Sequence, residues 1–185
     1  MTGIRRVPSW LNLAVRCVFL DRQSYRTVTQ DPYMTGPALL IILLMQTLAH
    51  VVHTGGFDVI QWLSRLALWF VGVLGVTAAG YLLTRQGDFT RTFRGVGFAQ
   101  SVYIVGLLAL IPGFAPAIRG LLLILAFVAT WIGAAAAFDT RGWYTVLLPV
   151  MAFLVLIVGL VVVEILLTGA SFSFQGVLAT LGLQP

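Results

Sequence analysis

Residues 96–138 read VGFAQSVYIVGLLALIPGFAPAIRGLLLILAFVATWIGAAAAF, and the only charged side chain in that stretch is Arg119. A hydrocarbon layer about 30 Å thick takes about 20 apolar residues per helical crossing. The stretch therefore reads as two crossings, Val96–Phe114 and Ala117–Phe138, with Pro112 and Pro116 bracketing the turn between them.

Outward from this pair the pattern repeats. Apolar runs of spanning length occur at Pro37–His53, Val59–Leu83 and Tyr144–Leu167. Over the 185 residues, 59% are hydrophobic and 9% charged, with a mean hydropathy of +1.00. Soluble domains carry about 25% charged residues, so a water-soluble globule is excluded. The expected fold is all-α: a polytopic membrane bundle of five transmembrane helices preceded by an amphipathic interfacial helix. That first helix is expected from Ser9 to about Gln30, with Leu11, Ala14, Val15, Val18 and Tyr25 near one stripe. Asp31-Pro32 and Gly36-Pro37 end it and turn the chain into the bilayer. Three parts follow: a cytoplasmic segment 1–35, a membrane domain 36–170, and an apolar tail 171–185 too short to cross.

The charges orient the bundle. All eleven basic residues are arginine, against six acidic residues, for a net charge of +5 and a pI near 10.1. With five crossings, Arg5, Arg6, Arg16, Arg22, Arg26, Arg85, Arg91, Arg94 and Arg141 share one side, and only Arg65 and Arg119 lie toward the other. Positive charge stays inside, which puts the amino terminus in the cytoplasm and the carboxyl terminus outside, with a bacterial cytoplasmic membrane the best fit. In a soluble chain this basicity would point to nucleic acid. Here the arginines sit between apolar runs, so Arg16, Arg22, Arg26, Arg85, Arg91 and Arg94 are candidates to face anionic lipid headgroups or a partner protein.

Within the spans, Arg65 and Glu164 lie toward the outer face and are expected to pair; His50 and His53 end the first span and Arg119 opens the fourth. A lumen-facing transport path through Arg65, Glu164 and His50 is the functional alternative to that structural pair. Gln100, Ser101 and Tyr103 are expected at the cytoplasmic opening of the third span, with Asp139 bonding a neighbouring arginine. Small residues mark helix-packing seams: Gly72, Gly75 and Ala79 in the second span, and Ala126, Ala129, Thr130, Gly133, Ala134 and Ala137 in the fourth. Cys17 is the single cysteine. With no phosphate loop, nucleophile triad, cysteine cluster or paired carboxylate in the membrane, no catalytic, cofactor or metal residue is expected.

Four segments together resemble a known family: GVTAAGYLLTR (75–85), FTRTFRGVGFAQSVY (89–103), IPGFAPAIRG (111–120) and TWIGAAAAFDTRG (130–142). They are similar to the Yip domain family, the Ypt/Rab-interacting membrane proteins, in a prokaryotic-type member, over about residues 36–170. The resemblance implies a non-enzymatic polytopic protein with an organising or adaptor role in membranes. It also implies association with other membrane proteins; a homo-oligomer is a separate candidate assembly. Bland spans with small-residue seams suit an accessory subunit of a larger membrane complex equally well.

Overall fold

Four helical segments of this chain begin where an aspartate accepts hydrogen bonds from a first turn. Asp21 accepts from the Gln23 amide (3.1 Å), Asp31 from Tyr33 (3.0 Å), Asp58 from Ile60 and Gln61 (2.8 and 3.2 Å), and Asp88 from Thr90 and Arg91 (2.8 and 3.3 Å). Free amides at a helix start are costly near hydrocarbon, and these carboxylates satisfy them. The computed structural model describes residues 7–54, 56–85, 88–111, 113–140, 142–151, 153–154 and 157–158. In chain order they form α1 (Val7–Val18), α2 (Arg22–Gln30), α3 (Thr35–Thr54), α4 (Val59–Thr84), α5 (Phe89–Ala99) and α6 (Ala115–Ala137). Short 3₁₀ turns at Pro32–Met34 and Trp143–Val146 and a long 3₁₀ segment at Gln100–Leu110 complete the order.

Four stretches are long and apolar enough to cross a membrane: Pro32–Val52, Val59–Thr84, Phe89–Leu110 and Ala115–Ala137. The expected fifth crossing, 144–167, begins with a helical stretch at 147–151 and otherwise lies mainly outside the described residues, as does the tail 171–185.

Two expectations are corrected. The single helix from Ser9 to Gln30 is two helices, broken at Leu20, whose φ of 60° reverses the chain before Asp21 starts α2. Tyr25 consequently leaves the stripe of α1; it is buried, and its hydroxyl donates to the Cys17 carbonyl (3.1 Å), clamping α2 to α1. The third crossing, expected at Val96–Phe114, runs from Phe89 to Leu110. Arg91 and Arg94 lie inside its first turns, and Gln100, Ser101 and Tyr103 sit near its middle rather than at its mouth.

That third crossing is the hub. Every residue from 92 to 102 is buried, whereas α3, α4 and α6 each present long lipid-side rows such as Leu40 and Leu44, Leu63 and Leu74, or Leu123 and Ile124. α3 and α6 pack along both halves of the hub, and α4 meets it through its C-terminal half, where Val73, Gly75, Val76, Ala79 and Gly80 are buried. Phe138 seats its ring on Gly80, and Trp69 and Phe70 pack edge and face against Phe93, at centroid distances of 5.7 and 6.1 Å. α5 and α6 approach most closely where Gly95 meets Gly133: a Cβ on Gly95 would lie 2.5 Å from the Gly133 carbonyl oxygen. Small residues permit this approach where lipid offers no hydrophobic drive to association.

Candidate functional site

α2 divides into two faces. Ser24, Tyr25, Val28 and Thr29 are buried against the bundle, with Thr29 reaching the Ala136 carbonyl (3.5 Å). Arg22, Gln23, Arg26, Thr27 and Gln30 fall on the opposite side of the same helix and line a cavity of about 930 Å³. The facing wall comes from the last turns of α6: Trp131, Ile132, Ala135 and Ala136, with Thr140, Gly142 and Thr145 beyond the helix end. One wall is thus basic and amide-rich, and the other is mainly apolar.

Local hydrogen bonds hold both walls. Ser24 donates to the Asp21 carboxylate (2.7 Å), and this bond with that from Gln23 keeps the Asp21 carboxyl below the usual carboxylate range. The Trp131 indole N–H donates to Thr145 Oγ1 (2.7 Å), whose own hydroxyl donates to the Gly142 carbonyl (2.8 Å). The indole's polar atom is therefore satisfied, and its ring serves as apolar wall. Arg26 lies 3.7 Å from Asp139, with the two side chains 36% and 69% exposed. So open a pair contributes little stability and holds its arginine loosely. Arg22 is exposed and has no ion-pair partner among the described residues.

The remaining candidate arginines separate by environment. Arg16 and Arg85 are exposed; Arg85 ends α4 in the left-handed region with a φ of 57°. Arg91 is exposed and pairs with Asp88 (3.4 Å). Arg94 is buried: its Nη1 donates to the Asp31 carbonyl (3.2 Å), where α2 and the turn after it cover α5. The turn, invisible to hydropathy, takes Arg94 off the exposed face.

At the opposite end of the bundle from α2, Arg65 is half-buried on α4, and Glu164 lies outside the described residues, so their pairing is not described. His50 is buried; its Nε2 accepts from the Asp58 amide (3.1 Å) and its ring meets Phe57 edge-on at 5.7 Å, closing the α3–α4 turn. The side chain of His53 lies outside the described residues, and Arg119 is exposed in the first turns of α6. Among the described residues no group of three His, Cys, Asp or Glu converges as metal ligands would. Of the small residues, Gly75, Ala79, Ala129, Gly133, Ala134 and Ala137 are buried, and Ala126 and Thr130 are half-buried. A Cβ on Gly72 would meet nothing within 4 Å. The only sequence signal for Gly95, the partner of Gly133, is GVG at 95–97, directly after Arg94.

The family model of the Yip1 domain matches residues 17–163. The chain belongs to the Yip1 domain family, whose members are non-enzymatic membrane-trafficking proteins with multiple transmembrane helices. It is accordingly a multi-pass membrane protein associated with a lipid bilayer. No curated protein and no solved structure matches the chain.

Proposed function

We propose that this Yip1-domain protein is a membrane organiser or adaptor whose cytoplasmic layer, α1 and α2, holds anionic lipid against the bundle and presents a basic surface there. Five crossings, at 37–53, 59–83, 96–114 as shifted to 89–110, 117–138 and 144–167, place that layer in the cytoplasm of a bacterial cell and the carboxyl terminus outside. The arginine asymmetry supports this orientation.

One observation carries the reading. α1 has three faces: Trp10, Leu13, Ala14 and Cys17 pack on the protein, Asn12 and Arg16 are exposed polar groups, and Leu11 and Val15, with Phe19 in the turn just after the helix, are apolar yet 49%, 56% and 79% exposed. A helix fixed to a bundle with an uncovered apolar face beside arginine is built to lie in the headgroup layer. Arg16, Arg85 and Arg91 are exposed, and surface arginines contribute about 1 kcal/mol each on anionic membranes.

The test is hydrogen–deuterium exchange of the full chain in nanodiscs of phosphatidylcholine with and without phosphatidylglycerol. Anionic lipid is expected to slow exchange in α1 and α2, and Arg16→Gln with Arg85→Gln and Arg91→Gln to erase the difference in α1. Equal exchange in both bilayers overturns the proposal. A fixed stoichiometric set of co-purifying proteins in mild detergent would replace the adaptor by an accessory subunit.

A further inference from the structure

We infer that the cavity between α2 and the end of α6 is a binding site for one anionic glycerophospholipid, its phosphate held by Arg22 and Arg26 and its glycerol and upper acyl region against Trp131 and Ile132. This rests on the membrane-face reading above and gives it a defined site. The volume of about 930 Å³ lies at the upper end of the range of small-molecule sites and admits a headgroup with the first part of its chains.

The chemistry of the two walls selects the occupant. Arg22 and Arg26 are one helical turn apart on α2 and both line the cavity, a spacing that lets two guanidiniums converge on one phosphate. The only carboxylate within ion-pair distance of either, among the described residues, is Asp139 at 3.7 Å, so net positive charge remains for a ligand. Thr27 and Gln30 add polar side chains on the same wall. A soluble phosphate or sugar phosphate would use that wall alone and leave the indole and the aliphatic surface opposite in contact with water. A phospholipid uses both. Depth agrees: Trp131 lies six residues before the end of a membrane-crossing helix, about 9 Å along its axis, which is the depth of the upper acyl region rather than of a soluble ligand.

The test uses the full chain in nanodiscs of mixed phosphatidylglycerol and phosphatidylcholine, extracted gently, with retained lipid read by native mass spectrometry. The chain is expected to keep one phosphatidylglycerol in preference to phosphatidylcholine. Each of Arg22→Gln and Arg26→Gln should cut that preference roughly fivefold, the weight of one interfacial guanidinium. Ala135→Phe, which fills the cavity and leaves the charge unchanged, should remove the bound lipid while helical content and melting stay as in the parent chain. Arg85→Gln with Arg91→Gln should leave the single retained lipid in place. If that distal pair abolishes retention as strongly as the α2 pair, the site is overturned and only the diffuse basic surface stands. If Ala135→Phe folds and still retains the lipid, the site is likewise overturned. Displacement by inorganic phosphate would make the cavity a soluble-anion site and overturn the lipid assignment. Slowed exchange in α1 and α2 without any retained lipid separates failure here from failure of the membrane-face reading.

Discussion

Gly95 and Gly133 face each other across the tightest helix crossing, so a single methyl acts there directly on helix separation. A Cβ on Gly95 would also approach Thr29 Cγ2 at 2.9 Å, wedging α2 from the bundle as well as α5 from α6. Gly95→Ala should cost about 1–3 kcal/mol in unfolding by a denaturing detergent, the usual penalty of overpacking. Gly72→Ala, where a Cβ meets open space, should be neutral or stabilising by up to about 1 kcal/mol through helix propensity. Equal effects at the two positions would refute the crossing. Cys17 makes a second residue-scale prediction. It is fully buried, and burial first, then Asp21, pushes its thiol from 9.0 up to about 12. The folded state thus holds the proton more tightly than the unfolded chain does. That contribution is intact below pH 9.0 and is lost as pH rises from there toward 12. Burial raises the neighbouring Tyr25 hydroxyl in the same direction. Maleimide should leave native chain unlabelled at pH 8 and label it fully after denaturation; strongly alkaline buffer should expose α1 and α2 first, read by exchange. At this scale the sequence pointed to one glycine of the close crossing, Gly133 on the fourth span. It did not identify the capping aspartates, because four of them spend their charge on helix starts rather than on chemistry, and only the fold identifies a cap.

The third crossing joins two kinds of helix. α5 ends at Ala99, and the 3₁₀ segment carries the chain on to Leu110 at about 2.0 Å per residue, lengthening the element beyond an α-helix of the same sequence. With three residues per turn, Gln100, Tyr103, Gly106 and Ala109 fall in one row toward the bundle, while Ile104, Leu107 and Leu110 fall in another and are exposed. The Gln46 side-chain amide donates from Nε2 to the Gln100 side-chain oxygen Oε1 (3.0 Å) at the junction, tying α3 to the hub inside the apolar layer. A double-mutant cycle of Gln46→Leu and Gln100→Leu should give a coupling near 0.6 kcal/mol and no more than about 1.7, the span measured for polar pairs in membrane bundles. Zero coupling would mean the two amides do not meet. Hydropathy finds such elements but misplaces them. It penalised Arg91 and Arg94 and so started this crossing seven residues late, without knowing that α2 and the Pro32–Met34 turn would lie over Arg94. An apolar run also carries no period of its own, so a row repeating every three stays hidden in it.

The whole molecule turns on which ends share a side. The Pro32–Val52, Val59–Thr84, Phe89–Leu110 and Ala115–Ala137 crossings alternate in direction, so α1, α2, the α4–α5 turn and the end of α6 fall together, and α2 does contact both α5 and α6 at that end. The candidate cavity is assembled only by this return of the chain: its arginines lie more than a hundred residues from its tryptophan, and no local motif joins them. That is why the basic segments were legible in the sequence and the cavity was not. A fifth crossing over 144–167 would send the carboxyl terminus to the opposite side, since an odd number of crossings separates the ends. The prediction can be checked in a cysteine-free chain, Cys17→Ala, carrying one new thiol at a time in sealed inverted and right-side-out vesicles. Thr2→Cys and Gln86→Cys should react with a membrane-impermeant reagent only from the cytoplasmic side, and Gly56→Cys and Gln184→Cys only from outside. If Gln184→Cys reacts from the cytoplasmic side while the other three behave as stated, the segment after 144 turns back without crossing. The arginine count then still orients the first four helices, but the carboxyl terminus would join the same face as α2, next to the lipid site.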